Sequence, residues 1–285
     1  MPQPRAPQFA VSTWSIHRVL GIGYPDAPGA PSDGTLEPMF GNGMLTMLDL
    51  PAELARRNFH RVEMCHFQLN GRDKGYVGEL RASLRSAGVS LQTLLIDDGD
   101  LSDGVTAKRD SAWIAEWIDI AAALGASHVR VVAGKQKPTP ATLQLSIEGL
   151  RAAARHGKSQ GVRILTENWF DLLAGSEEVH HVLDALDGEV GYLVDTGNWT
   201  DAGKFKKLNS VYGRAERSHT KAHFDTAYKM DAADFRKCLD AAVATGYKGP
   251  HTLIYEGPDE EWAAVEMERD FVTQHFAQAG LAAAS

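Results

Sequence analysis

Several things are scarce in this 285-residue chain, and each scarcity removes a class of protein. There are two cysteines, Cys65 and Cys238, far apart and without metal-type spacing. They cannot form a disulfide framework, and a reducing compartment is expected. No stretch approaches the roughly 20 consecutive apolar residues needed to span a bilayer. The start, residues 1–8, is polar and proline-rich, unlike a secretory signal. A cytoplasmic protein with no membrane partner is the expectation. Positive charge is also in short supply, with 29 Lys and Arg against 37 Asp and Glu and a net charge of -8. That argues against a large basic footprint, so no nucleic-acid partner is expected. No glycine-rich phosphate fingerprint opens a helix after the first strand-like run, which counts against a dinucleotide-binding fold.

What the chain does have is alternation. With 44% hydrophobic and 23% charged residues, its composition is that of an ordinary globular protein. Strand-like runs begin near Phe9, Arg61, Leu91, His128, Val162, Val190, Ala215 and His251. Helix signals fall between them. Asp49 and Pro51 open a segment over 48–58, and Ser176 with Glu177 and Glu178 opens one ending near Asp187. Trp113, Ile114, Trp117, Ile118, Ala121 and Ala122 form one apolar helical face. Gly88, Gly125, Gly161 and Gly246 each fall just past a helical pattern, where a left-handed cap favours glycine. Strand-then-helix repeated eight times predicts a single α/β domain over 1–285, a (β/α)8 TIM barrel, better than an open doubly wound sheet. One stretch is irregular: residues 21–43, rich in Gly and Pro, between the first strand and the first helix. Connections this long often act as lids or binding loops, so it is a candidate lid; the bland alternative is a solvated insertion.

The ends of the last four runs carry the chemistry. They bear Glu167, Asp195, His219 and Glu256. In a parallel barrel the C-terminal strand ends converge on one mouth, where such folds place their active sites. Period-two alternation puts Arg163 and Leu165 on the same face as Glu167, and Thr252 and Ile254 on the same face as Glu256. On the seventh run His219, Lys221 and His223 share a face. Any one of these acids could be a helix cap or half of a surface ion pair. Three carboxylates and an imidazole meeting at one mouth would repel one another without a cation between them. Hard oxygen donors with one imidazole suit Mn²⁺ or Mg²⁺, with Co²⁺ or Zn²⁺ as alternatives.

Glu, Asp, His and Glu at the ends of strands five to eight resemble the pattern of the xylose isomerase-like TIM barrels. That group includes sugar and sugar-phosphate isomerases and epimerases, ketose 3-epimerases, inosose dehydratases and the endonuclease IV group. The resemblance runs from 12–17 through Val62-Glu63 and 166–169 to 255–257. It implies that Glu167, Asp195, His219 and Glu256 hold one divalent metal ion, with His219 preferred over His223 because Lys221 completes a His-x-Lys motif. It also implies proton abstraction next to a carbonyl through an enediolate, with Glu167, Glu256 and Lys221 as catalytic groups. The implied partner is a small-molecule sugar or sugar derivative, and relatives of this type are often homo-oligomers. Sugar contacts are expected from Trp14, His17, Glu63, His66, Lys135, Trp169, Asn198 and His223, although Trp14 could equally be core. Lys135 could hold a phosphate, but no convincing glycine nest accompanies it.

One departure stands out. Many relatives read Asp-x-x-His where this chain has Asp195-Thr-Gly-Asn198, which puts a proton relay through that histidine in doubt. The same enediolate could lose a leaving group, so a dehydratase or lyase acting on a keto-sugar is the alternative function. An endonuclease IV-like nuclease fits poorly, because it needs several extra histidines. A non-catalytic sugar-binding barrel fits poorly too, because a bare acidic cluster destabilises its fold.

Overall fold

All eight strand-like runs are strands, and they close on one another. The structure, a computed structural model, describes residues 7–30, 35–226, 229–258 and 260–282. Its strands are β1 (Phe9–Ser12), β2 (Arg61–Cys65), β3 (Ser90–Ile96), β4 (His128–Val131), β5 (Arg163–Glu167), β6 (Gly191–Asp195) and β7 (Ala215–Lys221). A small antiparallel hairpin follows, β8 (Phe224–Thr226) with β9 (Lys229–Met230), and then β10 (His251–Ile254). The parallel order β1-β10-β7-β6-β5-β4-β3-β2 is a closed barrel, so β10 is its eighth stave. The helices are α1 (His17–Leu20), α2 (Leu50–Arg56), α3 (Lys74–Ala87), α4 (Ala107–Leu124), α5 (Pro140–Gln160), α6 (Ser176–Leu186), α7 (Lys204–Val211), α8 (Ala232–Ala244) and α9 (Glu261–Ala282). Among the described residues, no helix is long and apolar enough to cross a membrane.

Strand parity decides what packs where. Val62, Met64, Val129, Val131, Ile164, Val194, Leu253 and Tyr255 join the apolar cluster that includes Trp113, Ile114, Trp117, Ile118 and Ala121 of α4. Their alternates face into the barrel and carry the polar groups. Helix-to-strand turns fall where the glycines predict: Gly88, Gly125 and Gly161 cap α3, α4 and α5 with φ of 66°, 85° and 76°. Two helix starts differ from expectation. Asp49 precedes α2, but its carboxylate accepts from Thr46 Oγ1 at 2.5 Å instead of capping the helix. Gly175 is the N-cap of α6, which makes Ser176 its first helical residue.

Two strand ends also move. β7 continues to Lys221, whereas β10 stops at Ile254 and leaves Glu256 two residues beyond it. The cause is Ser15, in a 3-10 turn over Thr13–Ile16: its hydroxyl donates to Leu253 O at 2.8 Å and accepts the Tyr255 N–H at 3.0 Å. A side chain thus takes over the bond that would have extended the ladder.

The connection at 21–43 is irregular as expected, and its positions 31–34 lie outside the described residues. Its described part is strapped to the barrel. Gly23 bridges Glu37, Phe40 N–H donates to Gly21 O at 2.8 Å, and Tyr24 N–H donates to Phe67 O. Asp26 pairs with Arg72 and accepts from Trp113 Nε1 at 3.0 Å.

Candidate metal centre

Three neighbouring strands deliver three buried donors. Glu167 and Asp195 are the last residues of β5 and β6, and Asp195 is the register partner of His219 on β7. One donor atom from each lies within 4.8 Å of the others. Of the two candidate histidines, His219 is therefore the one at the centre. His223 leads into the β8–β9 hairpin, where its carbonyl accepts the Asp231 N–H at 2.7 Å.

The imidazole is oriented from behind. His219 Nε2 lies 2.8 Å from Glu63 Oε2, and the other Glu63 oxygen accepts from Gln92 Nε2 at 3.0 Å and Thr93 Oγ1 at 2.8 Å. That leaves His219 Nδ1 facing Glu167 Oε1 at 3.3 Å and Asp195 Oδ2 at 3.6 Å. A carboxylate gripping the far nitrogen of a ligating histidine is a recurrent feature of metal sites, because it fixes both tautomer and ring orientation. Asp195 Oδ1 accepts the N–H groups of Gly197 at 2.6 Å and Asn198 at 2.9 Å, which orients its second oxygen. Asn198 Nδ2 donates to Glu167 Oε1 at 3.1 Å, so this residue steadies a candidate ligand.

Charge is concentrated here without water to dissipate it. Burial opposes ionisation of Asp195, yet Lys221 and His219 beside it hold its carboxyl down at about 2. Burial likewise opposes ionisation of Glu63, but the His219 contact wins and keeps it below the ordinary range. For His219 burial pushes the imidazole down, while Glu167, Asp195 and Glu63 together raise it well above its usual value. In the chain alone a proton on His219 balances the acids; a cation could do the same.

The donor set fits a divalent ion. It offers two carboxylates and an imidazole, and Glu167 Oε2 is buried without a hydrogen bond. Arg130 Nε lies 3.0 Å from that oxygen and is itself buried without a hydrogen bond, so the pair attract as charges but are misaligned as donor and acceptor. Oxygen and imidazole donors suit Mn²⁺, Mg²⁺, Co²⁺ or Zn²⁺.

Glu256 lies outside this three-residue group. Its side chain is 44% exposed, with Oε2 2.6 Å from Lys221 Nζ and Oε1 accepting from Trp14 Nε1 at 2.9 Å. Lys221 is buried; burial disfavours its charge, but Asp195 and Glu256 hold the ammonium above its usual pKa. Gly197 lets it pass: a Cβ there would sit 2.4 Å from Lys221 Cδ. Glu167, Asp195, His219, Lys221 and Glu256 all line one cavity of about 420 Å³, together with Trp14, Trp169 and Asn198.

The remaining expected contacts do not line that cavity. Glu63 is fully buried behind His219. His17 stacks on Trp14 with centroids 4.6 Å apart, and its Nδ1 is 2.7 Å from Trp14 O, so it backs the indole. His66 is buried, with Nε2 3.2 Å from Asp26 O while Nδ1 accepts the Asp97 N–H at 3.2 Å; it ties the 21–43 connection to the barrel. Lys135 is turned to Asp98, at 2.5 Å. Sequence reasoning missed Arg130, Asp97, Phe40 and Phe67, which all line the cavity. Arg130 left a signal, a charge at an inward position of the apolar run 128–132. Its guanidinium donates to Ile96 O at 2.7 Å, pairs with Asp97 and lies 4.9 Å from the Trp169 ring centre.

Comparison with known proteins agrees with this fold. The sequence profile of the xylose isomerase-like TIM barrels matches residues 51–274, and the chain belongs to that family. A xylose isomerase-like TIM barrel protein from Mycobacterium smegmatis, solved in complex with magnesium, superposes with a TM-score of 0.68 at 16% identity, covering 96% of this chain and 97% of that one. D-allulose 3-epimerase from Methylomonas sp. gives 0.63 at 15% identity, covering 97% and 98%. The 3-keto-D-glucoside 4-epimerase of E. coli gives 0.62 at 12% identity, covering 95% and 99%. At these identities the likeness is one of fold. No protein of curated function matches the chain by sequence.

Proposed function

We propose that this protein is a divalent-metal-dependent sugar isomerase or epimerase that moves a proton on the carbon next to a carbonyl. The observation that carries the reading is the convergence of Glu167, Asp195 and His219 in one cavity with the Lys221–Glu256 pair. Membership of the xylose isomerase-like family and the fold shared with two epimerases support it. Glu167, Asp195 and His219 would hold the ion, with Glu63 fixing the imidazole. When bound, the cation supplies positive charge to substrate oxygens as the carbon loses its proton.

The chain's own groups do the rest. Glu256 is the carboxylate at the mouth that is reachable from solvent, and its Oε2 is the atom that takes up the proton; in an isomerisation it returns the proton to the neighbouring carbon, whereas in an epimerisation Glu167 delivers a proton to the opposite face. Lys221 Nζ orients that carboxylate and offers a fixed positive charge to an alkoxide or a departing group. Asn198 steadies Glu167, and Trp14 holds the second Glu256 oxygen. Because Lys221 is a charged donor beside the reacting region, elimination from a keto-sugar is the second reading.

The test is deuterium exchange by NMR. Mn²⁺-loaded protein incubated with ketoses in D₂O incorporates solvent deuterium next to the carbonyl; loss of water or of an aglycone instead would favour the elimination. A Glu256→Gln protein that keeps the full exchange rate would sink the assignment of the proton-transfer group.

A further inference from the structure

The cavity holds charge of both signs, and the negative charge is in excess. Among the described residues its lining includes four carboxylates, Asp97, Glu167, Asp195 and Glu256, against two fixed cations, Arg130 and Lys221. Neither cation is spare. Arg130 pairs with Asp97 and Glu167, and Lys221 pairs with Glu256. Lys135 lies outside the lining and is paired with Asp98. With His219 neutral as a ligand, a divalent ion would cancel the charge of this lining. Glu63, behind the imidazole, adds one more negative charge. No positive surplus is left for a dianion.

The backbone at the mouth is closed to a phosphate as well. Parallel barrels commonly bind phosphate on the loops after the seventh and eighth strands, at a helix N-terminus there. Open N–H groups and the positive end of the helix dipole supply the attraction. Here the helices that follow those strands, α8 after β7 and its hairpin and α9 after β10, both start on a carboxylate. Asp231 Oδ1 accepts the N–H groups of Ala233 at 3.2 Å and Asp234 at 3.0 Å. Glu260 accepts those of Trp262 and Ala263 through its two oxygens, at 3.2 Å and 2.7 Å. The next acid, Glu261, gives both oxygens to the N–H groups of Arg18 and Val19 beyond β1, at 3.0 Å and 2.9 Å. A serine or threonine would cap these helices without charge, as Thr139 does at the start of α5. The groups that an incoming phosphate would bind are already bonded, and to charges of its own sign.

Resting on the isomerase or epimerase reading, we infer that the substrate is an uncharged ketose and that the acidic caps Asp231 and Glu260 exclude its phosphorylated counterpart. Hydroxyls and a carbonyl need hydrogen bonds and the ion, and no further positive charge. A phosphate dianion taken from water to this mouth would meet like charges and find no cation of its own. The selection acts on charge and leaves the proton-transfer groups untouched.

Matched probes test this by calorimetry on the full-length, Mn²⁺-loaded chain: D-fructose against D-fructose 6-phosphate, and D-ribulose against D-ribulose 5-phosphate. The free ketose is expected to bind about tenfold more tightly or better than its phosphate. Combining Asp231→Ser with Glu260→Ser keeps an uncharged cap on each helix, with folding checked by thermal unfolding. In that variant the gap narrows by about threefold or more, while the affinity for the free ketose holds. A phosphate that binds as tightly as its free ketose, no binding of either free ketose, or a gap that the double variant leaves unchanged would overturn the inference. Exchange in D₂O is read separately. Exchange on the phosphates in preference to the free ketoses defeats the uncharged substrate and leaves the reaction standing. A preference for free ketoses without exchange on any probe defeats the proposed reaction and leaves the selection by charge standing.

Discussion

The floor and the rim of the cavity are built by different rules. At the floor, Glu167, Asp195 and His219, with Glu63 behind them, come from barrel strands and are at most 5% exposed. Each is held by at least one directed contact, so strand register sets the geometry. At the rim, Glu256 lies beyond its strand and is 44% exposed, and Met39 and Phe40 belong to the long connection. The floor concentrates charge that folding alone does not favour, as expected of a site shaped around an ion. The rim is the adjustable part, where side chains can change what is bound without disturbing the barrel.

The sharpest way to break this contrast is at Glu256, the one rim group given a chemical role. Glu256→Gln is expected to slow deuterium exchange by about 10²- to 10⁴-fold, measured at saturating Mn²⁺. Next comes the support behind the floor. Glu63→Gln should weaken Mn²⁺ binding by about 10- to 100-fold in calorimetry, because His219 loses the charged partner that orients it.

Asp97 marks the boundary between the two regions. Burial would raise its carboxyl, but Arg130 beside it holds it down at about 2 rather than the ordinary 3.8. A depressed folded-state value means that the stabilisation is present above pH 3.8 and is lost as pH falls through about 2. The amount is about 2 kcal/mol. Urea unfolding between those pH values should therefore be flatter in Asp97→Asn than in the parent. The smallest effect is expected at the outer rim: Met39→Ala should leave unfolding free energy within about 0.5 kcal/mol of the parent.

Much of the floor was legible because a polar residue ending an apolar run is conspicuous, as at Glu167 and Asp195. Parity then told which residues turn inward, and it agrees with the structure on β5 and β10. It could not tell depth. Glu63 does turn inward, but the stagger of the strands places it beneath His219, out of the cavity. Stagger is a property of the closed barrel, so no single run contains it. The end of β10 was hidden for a similar reason, since Ser15 ends that ladder from more than two hundred residues away in sequence. The rim was the least legible part. Phe40 and Phe67 sit in segments without periodicity, and contacts within the 21–43 connection, such as the Phe40 N–H to Gly21 O bond, bring Phe40 to the cavity.

The central claim is that Glu167, Asp195 and His219 hold a divalent ion. Calorimetric titration of the metal-free chain with Mn²⁺, alongside Asp195→Asn, tests it most directly. The expected result is one ion per chain, a higher melting temperature with bound metal, and a large loss of affinity in the variant. No binding, or binding that the variant leaves unchanged, would contradict it.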